Sequence, residues 1–389
     1  MLARGHRRPS TVFGAVALLV GTAVGAGIFG LPYVFSQAGV AIGIAYVLGL
    51  GAVLGLVNLA YGEVVLSTEG THQFTAYVQR YLGQRWRIVA VLSLCIGLYG
   101  ALSAYTLEVS HLLSVLLAPY VSLSQIPLGL IYLAVVGAAL FIGLRAITPV
   151  EKILMIVMLS LITGLVVIGI PRVEPHNYVT AISPSAIFLP YGVVLFALSA
   201  ASAVPDMKRV LQHHFTGLRR AIVIGSIIPV IVYIVFATVV VGITGTATTP
   251  SAVEGLGSIL GPTALTIGAI FGCVTMTTSF LVSGMVLRET YQFDFKLRPW
   301  LAWVLVMTPP LLFLLFQWLS FIEILGISGA LIGGLDGILI MHMHQRLRTV
   351  QHRPSAFTVT QSLVVHGLAY AVFIGGIVYE AWIIFQRLS

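Results

Sequence analysis

The chain has 389 residues, of which 58% are hydrophobic and only 8% are charged. A soluble domain carries about 25% charged residues, so this composition excludes an ordinary soluble protein and indicates an integral membrane protein. The net charge of +8 could suggest nucleic acid. Basic residues in a membrane protein more often set its orientation, so we expect no nucleic-acid partner.

Long apolar runs predict eleven membrane-spanning helices, because a helix needs about 20 apolar residues to cross the hydrocarbon layer. The predicted spans are 11–36, 40–66, 87–118, 126–144, 149–170, 184–205, 219–243, 261–287, 299–316, 319–341 and 361–386. Placing the N-terminus in the cytoplasm puts all but Arg172 and Arg387 of the 20 Lys and Arg residues on that side. This bias predicts a multi-pass protein of the cytoplasmic membrane, with its C-terminus outside.

Eleven spans divide into five, five and one. A half with an odd number of spans reverses direction, so the halves would be related by inverted topology, as in many secondary transporters. We predict one all-α transmembrane domain over 1–389, with inverted repeats at about 11–170 and 184–341 and an extra helix at 361–386. Corresponding spans one and six should both be broken.

Span one contains four glycines and a proline between Gly21 and Pro32, which disfavour a continuous helix. One interpretation is that the glycines only permit close helix packing. The other is a break that binds a ligand, because unpaired backbone inside a membrane is tolerated where it lines a polar cavity. Amides at the start of the second half, near Ala26, Gly27 and Ile28, would suit a carboxylate. Carbonyls near Gly21, Ala23 and Val24 would suit a cation or an ammonium group.

Span eight carries three hydroxyl side chains on one helix face, Thr275, Thr278 and Ser279. They could complete an oxygen cage for a sodium ion with carbonyls of span one, since hard cations take oxygen ligands. The alternative is that these hydroxyls bond to their own helix, as is common for Ser and Thr in membranes.

Acidic residues inside a membrane are costly and are candidates for function. In span three, Tyr105 could donate to a carboxylate, and Glu108 could bind a proton or line an entrance. The alternative pairs Glu108 with His111 at the outer interface. Asp336 in span ten is a second proton-coupling candidate, either protonated or facing water. Three further titratable residues receive no functional role, with Glu63 and Glu380 expected at interfaces and a lone His366 expected to be structural.

The chain contains no sequence signature of an enzyme. Neither His-Glu-x-x-His nor Gly-x-Ser-x-Gly occurs, and no phosphate-binding loop is present, so we predict a non-enzyme that is not driven by ATP.

The pattern Gly21-x-x-Val-Gly-Ala-Gly-Ile28-x-x-Leu-Pro-Tyr33 resembles the first-helix motif of the amino acid/auxin permease family. The sequence is most similar to the bacterial hydroxy/aromatic amino acid permease branch of the amino acid-polyamine-organocation superfamily. Thr-Ser-Phe-Leu at 278–281 and Ser-Ala-Tyr at 103–105 resemble other motifs of that branch. The resemblance covers nearly the whole chain.

This resemblance implies the leucine-transporter-type fold and amino acid transport by alternating access. Amides at Ala26 and Gly27 would hold the substrate carboxylate. Carbonyls at Ala23, Phe196 and Ala197 would hold its amino group, with Phe196 as a gate. The predicted substrate-binding set is completed by Gly25, Ile28, Tyr105 and Ser199. The sodium position of sodium-coupled relatives corresponds to Gly21, Val24, Thr278 and Ser279.

The sequence therefore predicts a secondary active symporter for a neutral amino acid, aromatic or branched, with Na⁺ or H⁺ as coupling ion. No other cofactor and no obligate protein partner are expected. Two hypotheses from other classes remain: a non-transporting amino acid sensor or membrane-assembly protein on the same fold, and an ion channel.

Overall fold

The computed structural model describes residues 12–70, 72–121, 123–143, 148–178, 186–211, 215–350 and 355–388. These residues form α-helices joined by short 3₁₀ turns and loops. The helices are α1 Val12–Ala23, α2 Gly27–Ala38, α3 Val40–Ser67, α4 Phe74–Leu82, α5 Gln84–Leu117, α6 Gln125–Ile142, α7 Thr148–Gly169, α8 Leu189–Leu198, α9 Val204–Leu211, α10 Gly217–Thr244, α11 Val253–Leu260, α12 Pro262–Phe293, α13 Pro299–Phe316, α14 Phe321–Ser328, α15 Gly334–Val350 and α16 Leu363–Leu388.

The helices match the predicted spans. Within the described ranges, 9 helical stretches are long and apolar enough to cross a membrane, and the bent pair α1 and α2 adds one more. A shorter apolar helix at Ile156–Arg172 corresponds to predicted span five. We call the side of the bundle where α1 begins the N-side, and the opposite side the far side.

Span one breaks where the glycines predicted it. The axes of α1 and α2 differ by 56°. The regular hydrogen bonds end where the Val24 amide donates to the Val20 carbonyl, and the next amide, of Gly25, turns back to Ala23 at 2.9 Å. The break thus leaves the backbone between α1 and α2 outside any helix.

Span six breaks at the corresponding place. Its first half, α8, ends at Leu198, and Ser199 is extended (φ −70°, ψ 108°) before a short 3₁₀ turn leads into α9. Small side chains after Leu198 let the chain leave the helix without steric conflict. The expectation that spans one and six are both broken is confirmed.

Span ten is interrupted by a π-helical segment, Gly329–Gly333, between α14 and α15. Here the chain packs directly on α8. A Cβ on Gly192 would lie 2.1 Å from the Gly326 carbonyl oxygen, and one on Gly329 would lie 1.9 Å from the Gly192 carbonyl oxygen. Only glycine permits this backbone contact, and it holds span six against span ten next to the break.

Of three expectations about titratable residues, the one of a lone histidine is wrong. Glu63 and Glu380, expected at the membrane interfaces, are buried in the protein, with 5% and 8% of their surface exposed. His366 is not alone, because its ring contacts His344, which contacts Glu63. The packing of α15 on α3 and α16 brings these residues together, and no local pattern in the sequence reveals it.

Candidate functional site

A cavity of about 450 Å³ lies between the two broken spans. Its walls come from α1, α3, α5, α12 and α15 and from the breaks in spans one and six. The lining positions lie at the level of the breaks or between the breaks and the N-side, as Leu18, Asn58, Val286 and Ile340 illustrate. The cavity therefore opens toward the N-side.

Most of the predicted site residues line this cavity. Of the predicted substrate-binding residues, the cavity wall includes Ala23, Gly25, Ala26, Gly27, Tyr105, Phe196, Ala197 and Ser199. Ile28 does not line it and is buried behind the break. All four predicted sodium ligands line the wall, namely Gly21, Val24, Thr278 and Ser279. Of the two proton-coupling candidates, Asp336 lines the cavity, whereas Glu108 is buried elsewhere.

The start of α2 offers free backbone amides to the cavity. Within the described part of the chain, the amides of Ala26 and Gly27 have no hydrogen-bond acceptor, whereas the next amide, of Ile28, donates to Gly25. Unpaired amides at a helix start carry a partial positive charge and suit a carboxylate. The geometry at this position is thus compatible with the predicted anion-binding role.

Gly25 and Gly27 differ in their surroundings. A Cβ on Gly25 would meet nothing within 4 Å, so this glycine faces the cavity. A Cβ on Gly27 would lie 2.7 Å from the Cα and the Cβ of Ala197. Gly27 is therefore required for the contact between spans one and six, and only Gly25 leaves its side-chain position open for a ligand.

A tyrosine of span seven connects the two breaks. The Tyr233 hydroxyl lies 2.6 Å from the Ala23 carbonyl and 2.9 Å from the Ala197 carbonyl, and it can donate to either. The third predicted amino-group ligand, the Phe196 carbonyl, accepts from the Ser199 amide. A carbonyl oxygen has two lone pairs, so the Ala197 and Phe196 carbonyls can each accept a further donor. The Ala23 carbonyl also accepts from the Gly25 amide, so it can accept a further donor only when Tyr233 donates to Ala197.

The predicted sodium position has unpaired backbone oxygens. The Gly21 and Val24 carbonyls accept no hydrogen bond from the described residues, because the Gly25 and Ile28 amides turn to other acceptors. On α12 the Thr278 hydroxyl donates to the Thr275 carbonyl of its own helix, as the alternative interpretation expects. Its oxygen lone pairs remain available to a cation.

Asp336 contacts Ser93 on the cavity wall. The Ser93 hydroxyl donates to the Asp336 carboxylate at 3.1 Å. Among the described residues, the carboxylate forms no ion pair, which agrees with the expectation that no basic residue lies nearby. An acidic side chain on this wall can exchange protons with the N-side through the cavity.

The far side is closed above the breaks. The rings of Phe29 and Phe271 lie 6.4 Å apart between α2 and α12. His111 of α5 contacts Glu254 of the far-side helix α11 at 3.1 Å, and this hydrogen bond lowers the pKa of Glu254. Glu108 lies beneath this contact with 3% of its surface exposed, and His111 forms its ion pair with Glu254 and not with Glu108.

Sequence reasoning missed Tyr233, Ser93 and Asn58 as site residues. Tyr233 is fully buried in span seven, and Asn58 lies on the cavity wall in span two. A lone Tyr or Asn in an apolar span has the signature of an intramembrane polar residue, which could have marked it for attention. The sequence does not show which break Tyr233 would contact.

Comparisons with known proteins agree on one family. A model of the tryptophan/tyrosine permease family matches residues 8–382. The chain is 25% identical over 334 residues to the tyrosine-specific transport system 1 of Haemophilus influenzae, covering 81% of this chain and 83% of that relative. It is 25% identical over 244 residues to the tryptophan-specific transport protein of Pseudomonas aeruginosa, covering 61% of this chain and 58% of that one.

Among solved structures, the chain is similar to MhsT in complex with L-phenylalanine, with a TM-score of 0.67 at 15% identity. The match covers 98% of this chain and 99% of the other, and it confirms the predicted leucine-transporter-type fold. The predicted amino acid permease class is confirmed by the family match. The chain belongs to the tryptophan/tyrosine permease family.

Proposed function

We propose that this protein is a secondary active symporter that imports a neutral amino acid, preferably an aromatic one, by alternating access. The observation that carries the proposal is the cavity between the two breaks. It offers unpaired amides of Ala26 and Gly27 to a carboxylate and backbone carbonyls of span six to an amino group. A zwitterion matches both ends of this site.

The preference for an aromatic side chain rests on the relatives and on the cavity wall. The names of two relatives specify tyrosine and tryptophan, and the solved neighbour holds L-phenylalanine. A further relative, the glutamine transporter 2 of Aliivibrio fischeri, is 24% identical over 238 residues, covering 59% of this chain and 61% of that relative. Part of the cavity wall is formed by Gly25 and Ala101, and a Cβ on Gly25 would meet nothing within 4 Å, which leaves room for a ring.

The N-side is cytoplasmic in this proposal, because nearly all basic residues follow or precede spans at that side. The structure then corresponds to an inward-open state in the cytoplasmic membrane, with the N-terminus inside and the C-terminus outside. No cofactor besides the coupling ion and no protein partner are required.

The coupling ion is Na⁺ or H⁺, and each has its own candidate residues. Na⁺ would bind the free carbonyls of Gly21 and Val24 with the hydroxyls of Thr278 and Ser279, since it prefers oxygen ligands. A proton would bind Asp336 on the cavity wall or Glu108 below the far-side closure.

Uptake of labelled tyrosine, tryptophan and glutamine into proteoliposomes tests the proposal. We expect uptake of an aromatic amino acid that rises when an inward gradient of one ion, Na⁺ or H⁺, is imposed. Uptake that ignores both gradients would contradict symport. Binding without uptake would favour the sensor hypothesis, and conductance far above carrier turnover would favour a channel.

A further inference from the structure

Three buried titratable side chains meet on the N-side, beyond the cavity. Glu63 lies near the N-side end of α3, His344 on α15 and His366 in the first turn of α16. Their exposed fractions are 5%, 0% and 3%. The transport site does not use them, and burying such polar groups is costly unless their hydrogen bonds are satisfied.

The three side chains form one hydrogen-bonded chain. Glu63 Oε2 lies 3.0 Å from His344 Nε2, and His344 Nδ1 lies 3.2 Å from His366 Nε2. The chain ends where His366 Nδ1 meets the Ser362 carbonyl at 2.9 Å. The two imidazole planes differ by only 7°. Every imidazole nitrogen in the cluster therefore faces a partner.

These contacts require three hydrogens. The Ser362 carbonyl can only accept, so His366 Nδ1 must carry a hydrogen. The His344 to His366 contact needs a second hydrogen, and the Glu63 to His344 contact needs a third. An ionised Glu63 with two neutral imidazoles supplies only two. The cluster is satisfied when it holds one additional proton, whether on Glu63, His344 or His366.

Any other protonation state breaks a contact. If the cluster has one hydrogen fewer, two lone pairs face each other at one of its contacts. If it has one hydrogen more, two hydrogen-bond donors face each other at one contact. Leaving buried polar atoms unpaired costs about 1 to 3 kcal/mol, more for charged groups, so the hydrogen-bonded chain depends on this single proton.

The cluster binds the segment that connects spans ten and eleven, residues 355–362. The Val359 amide donates to Glu63 Oε2 at 2.6 Å, and the Gln361 side chain donates to the His344 carbonyl at 2.6 Å. The Phe357 ring packs over Gly62, where a Cβ would lie 3.2 Å from the ring. Residues 355–362 are thus held on α3 and α15, two helices that also line the cavity.

Other charged groups near the N-side end of α3 have their own partners or are exposed. Lys208 of α9 donates to the carbonyls of Val65, Thr68 and Gly70. Asp206 pairs with Arg209 at 2.6 Å. On α10 and α4 the cations are exposed, namely Arg219, Arg220 and Arg80. The α4 tyrosines bond elsewhere, Tyr81 to Thr68 and Tyr77 to the His72 amide.

On the cluster's own helices, the remaining titratable groups also lie apart from it. Asp336 contacts Ser93, and the Tyr370 hydroxyl donates to Gln345. Arg346 is exposed, and the His342 ring packs against Trp86. The Tyr61 hydroxyl is buried without a partner among the described residues. The structure describes no Lys or Arg paired with Glu63, which leaves His344 as its ion-pair partner within the described ranges.

We propose that Glu63, His344 and His366 form a one-proton binding site that latches residues 355–362 to α3 and α15 beside the N-side mouth of the cavity. Loss of the proton breaks one link of the chain and weakens the hold on the segment, although the Val359 and Gln361 bonds can still form. The proposal does not depend on which substrate or coupling ion the protein uses.

His366→Gln is the decisive variant. Its side-chain amide nitrogen can take the place of His366 Nε2 and donate to His344 Nδ1. His344 can then stay neutral and donate from Nε2 to an ionised Glu63, while the Ser362 carbonyl keeps its bond from the residue 366 amide at 3.1 Å. All contacts form without an additional proton, so the latch should stay closed but lose its pH dependence.

Hydrogen exchange at the Val359 amide measures the latch in the purified full-length protein, with rates corrected for the intrinsic effect of pH. From about pH 5 to about pH 8, we expect protection in the wild type to fall by at least about tenfold, the factor for one lost hydrogen bond to a charged group. His366→Gln should remain protected throughout. Flat protection in the wild type, or the same pH-dependent loss in His366→Gln, would overturn the proposal.

Two further variants complete the test. Glu63→Leu removes the acceptor of the Val359 amide and should leave that amide unprotected at every pH. His342→Gln changes a histidine of the same helix outside the cluster and should behave as the wild type does. If Glu63→Leu does not fold, the comparison of the wild type with His366→Gln still tests the proposal.

Discussion

Gly25 and Gly27 lie two positions apart in span one but have opposite surroundings. One faces the cavity and the other touches Ala197 of span six. Position 27 requires a glycine because the backbone of span six lies close to it. Position 25 must lack a side chain because the ligand would occupy the space next to it. Each role predicts a different result of substitution.

Gly25→Val should weaken amino acid binding and leave the fold intact, because the new side chain projects into the cavity. We expect at least about tenfold lower affinity, corresponding to the 1 to 3 kcal/mol cost of overfilling a site. Equilibrium binding of labelled amino acid to purified protein measures it. Gly27→Val is the contrasting variant and should lower thermal stability, since its side chain would collide with Ala197. Unchanged binding by Gly25→Val would contradict the placement of the substrate.

The hydroxyls of Thr278 and Ser279 allow a test of whether Na⁺ is the coupling ion. If Na⁺ binds there, the double variant Thr278→Ala and Ser279→Ala should lower the apparent sodium affinity by at least about tenfold, because two oxygen ligands are lost. Uptake at varied sodium concentration measures this. Thr266→Ala is the control, because Thr266 is exposed on the same helix and bonds only to the Pro262 carbonyl among the described residues. Unaltered sodium dependence in the double variant would exclude these ligands.

The broken spans one and six are the elements that build the site, and span seven joins them. Each break frees carbonyls, and the two that meet at Tyr233 belong to different spans, at Ala23 and Ala197. The hydroxyl therefore ties the breaks together in the N-side-open state. An arriving amino group would share these same oxygens with Tyr233.

Tyr233→Phe should lower both thermal stability and substrate affinity. The variant leaves the buried Ala197 carbonyl without a donor among the described residues, at a cost of about 1 to 3 kcal/mol, while the Ala23 carbonyl keeps its bond from the Gly25 amide. Thermal unfolding and amino acid binding measure the two effects. Tyr178→Phe, which removes a hydroxyl bonded to the Thr238 carbonyl of the same helix α10, should lower stability without changing affinity. Equal affinity in Tyr233→Phe and the wild type would argue against a shared role at the site.

The whole molecule is open on one side and closed on the other. The closure consists of aromatic packing between α2 and α12 and of the hydrogen bond from α5 to α11 at His111 and Glu254. Alternating access requires that this closure be comparable in stability to a closure on the N-side, because a large difference would trap one state. The far-side contact is therefore expected to set the balance of states.

Glu254→Gln should shift the protein toward the far-side-open state. Replacing the carboxylate by an amide keeps a neutral hydrogen bond with His111 but removes its charge, a loss of about 1 kcal/mol, which changes a two-state balance about fivefold. The rate of thiol labelling at Ser283→Cys, on the cavity wall, should fall in a background without native cysteines. Glu174→Gln, which alters an exposed pair with His176, should leave labelling unchanged. Faster labelling in Glu254→Gln would contradict this prediction.

The sequence by itself determined the membrane class, the spans, the break in span one and the family, because hydrophobic length and glycine content act locally along the chain. It also identified a set of residues that line the cavity, most of them at the breaks in spans one and six. Only the tertiary structure decided that Tyr233 joins both breaks, that Gly27 contacts span six and that Glu63 meets His344, 281 positions away. Such contacts depend on how whole helices pack against each other, and no periodicity within a single helix encodes its neighbour.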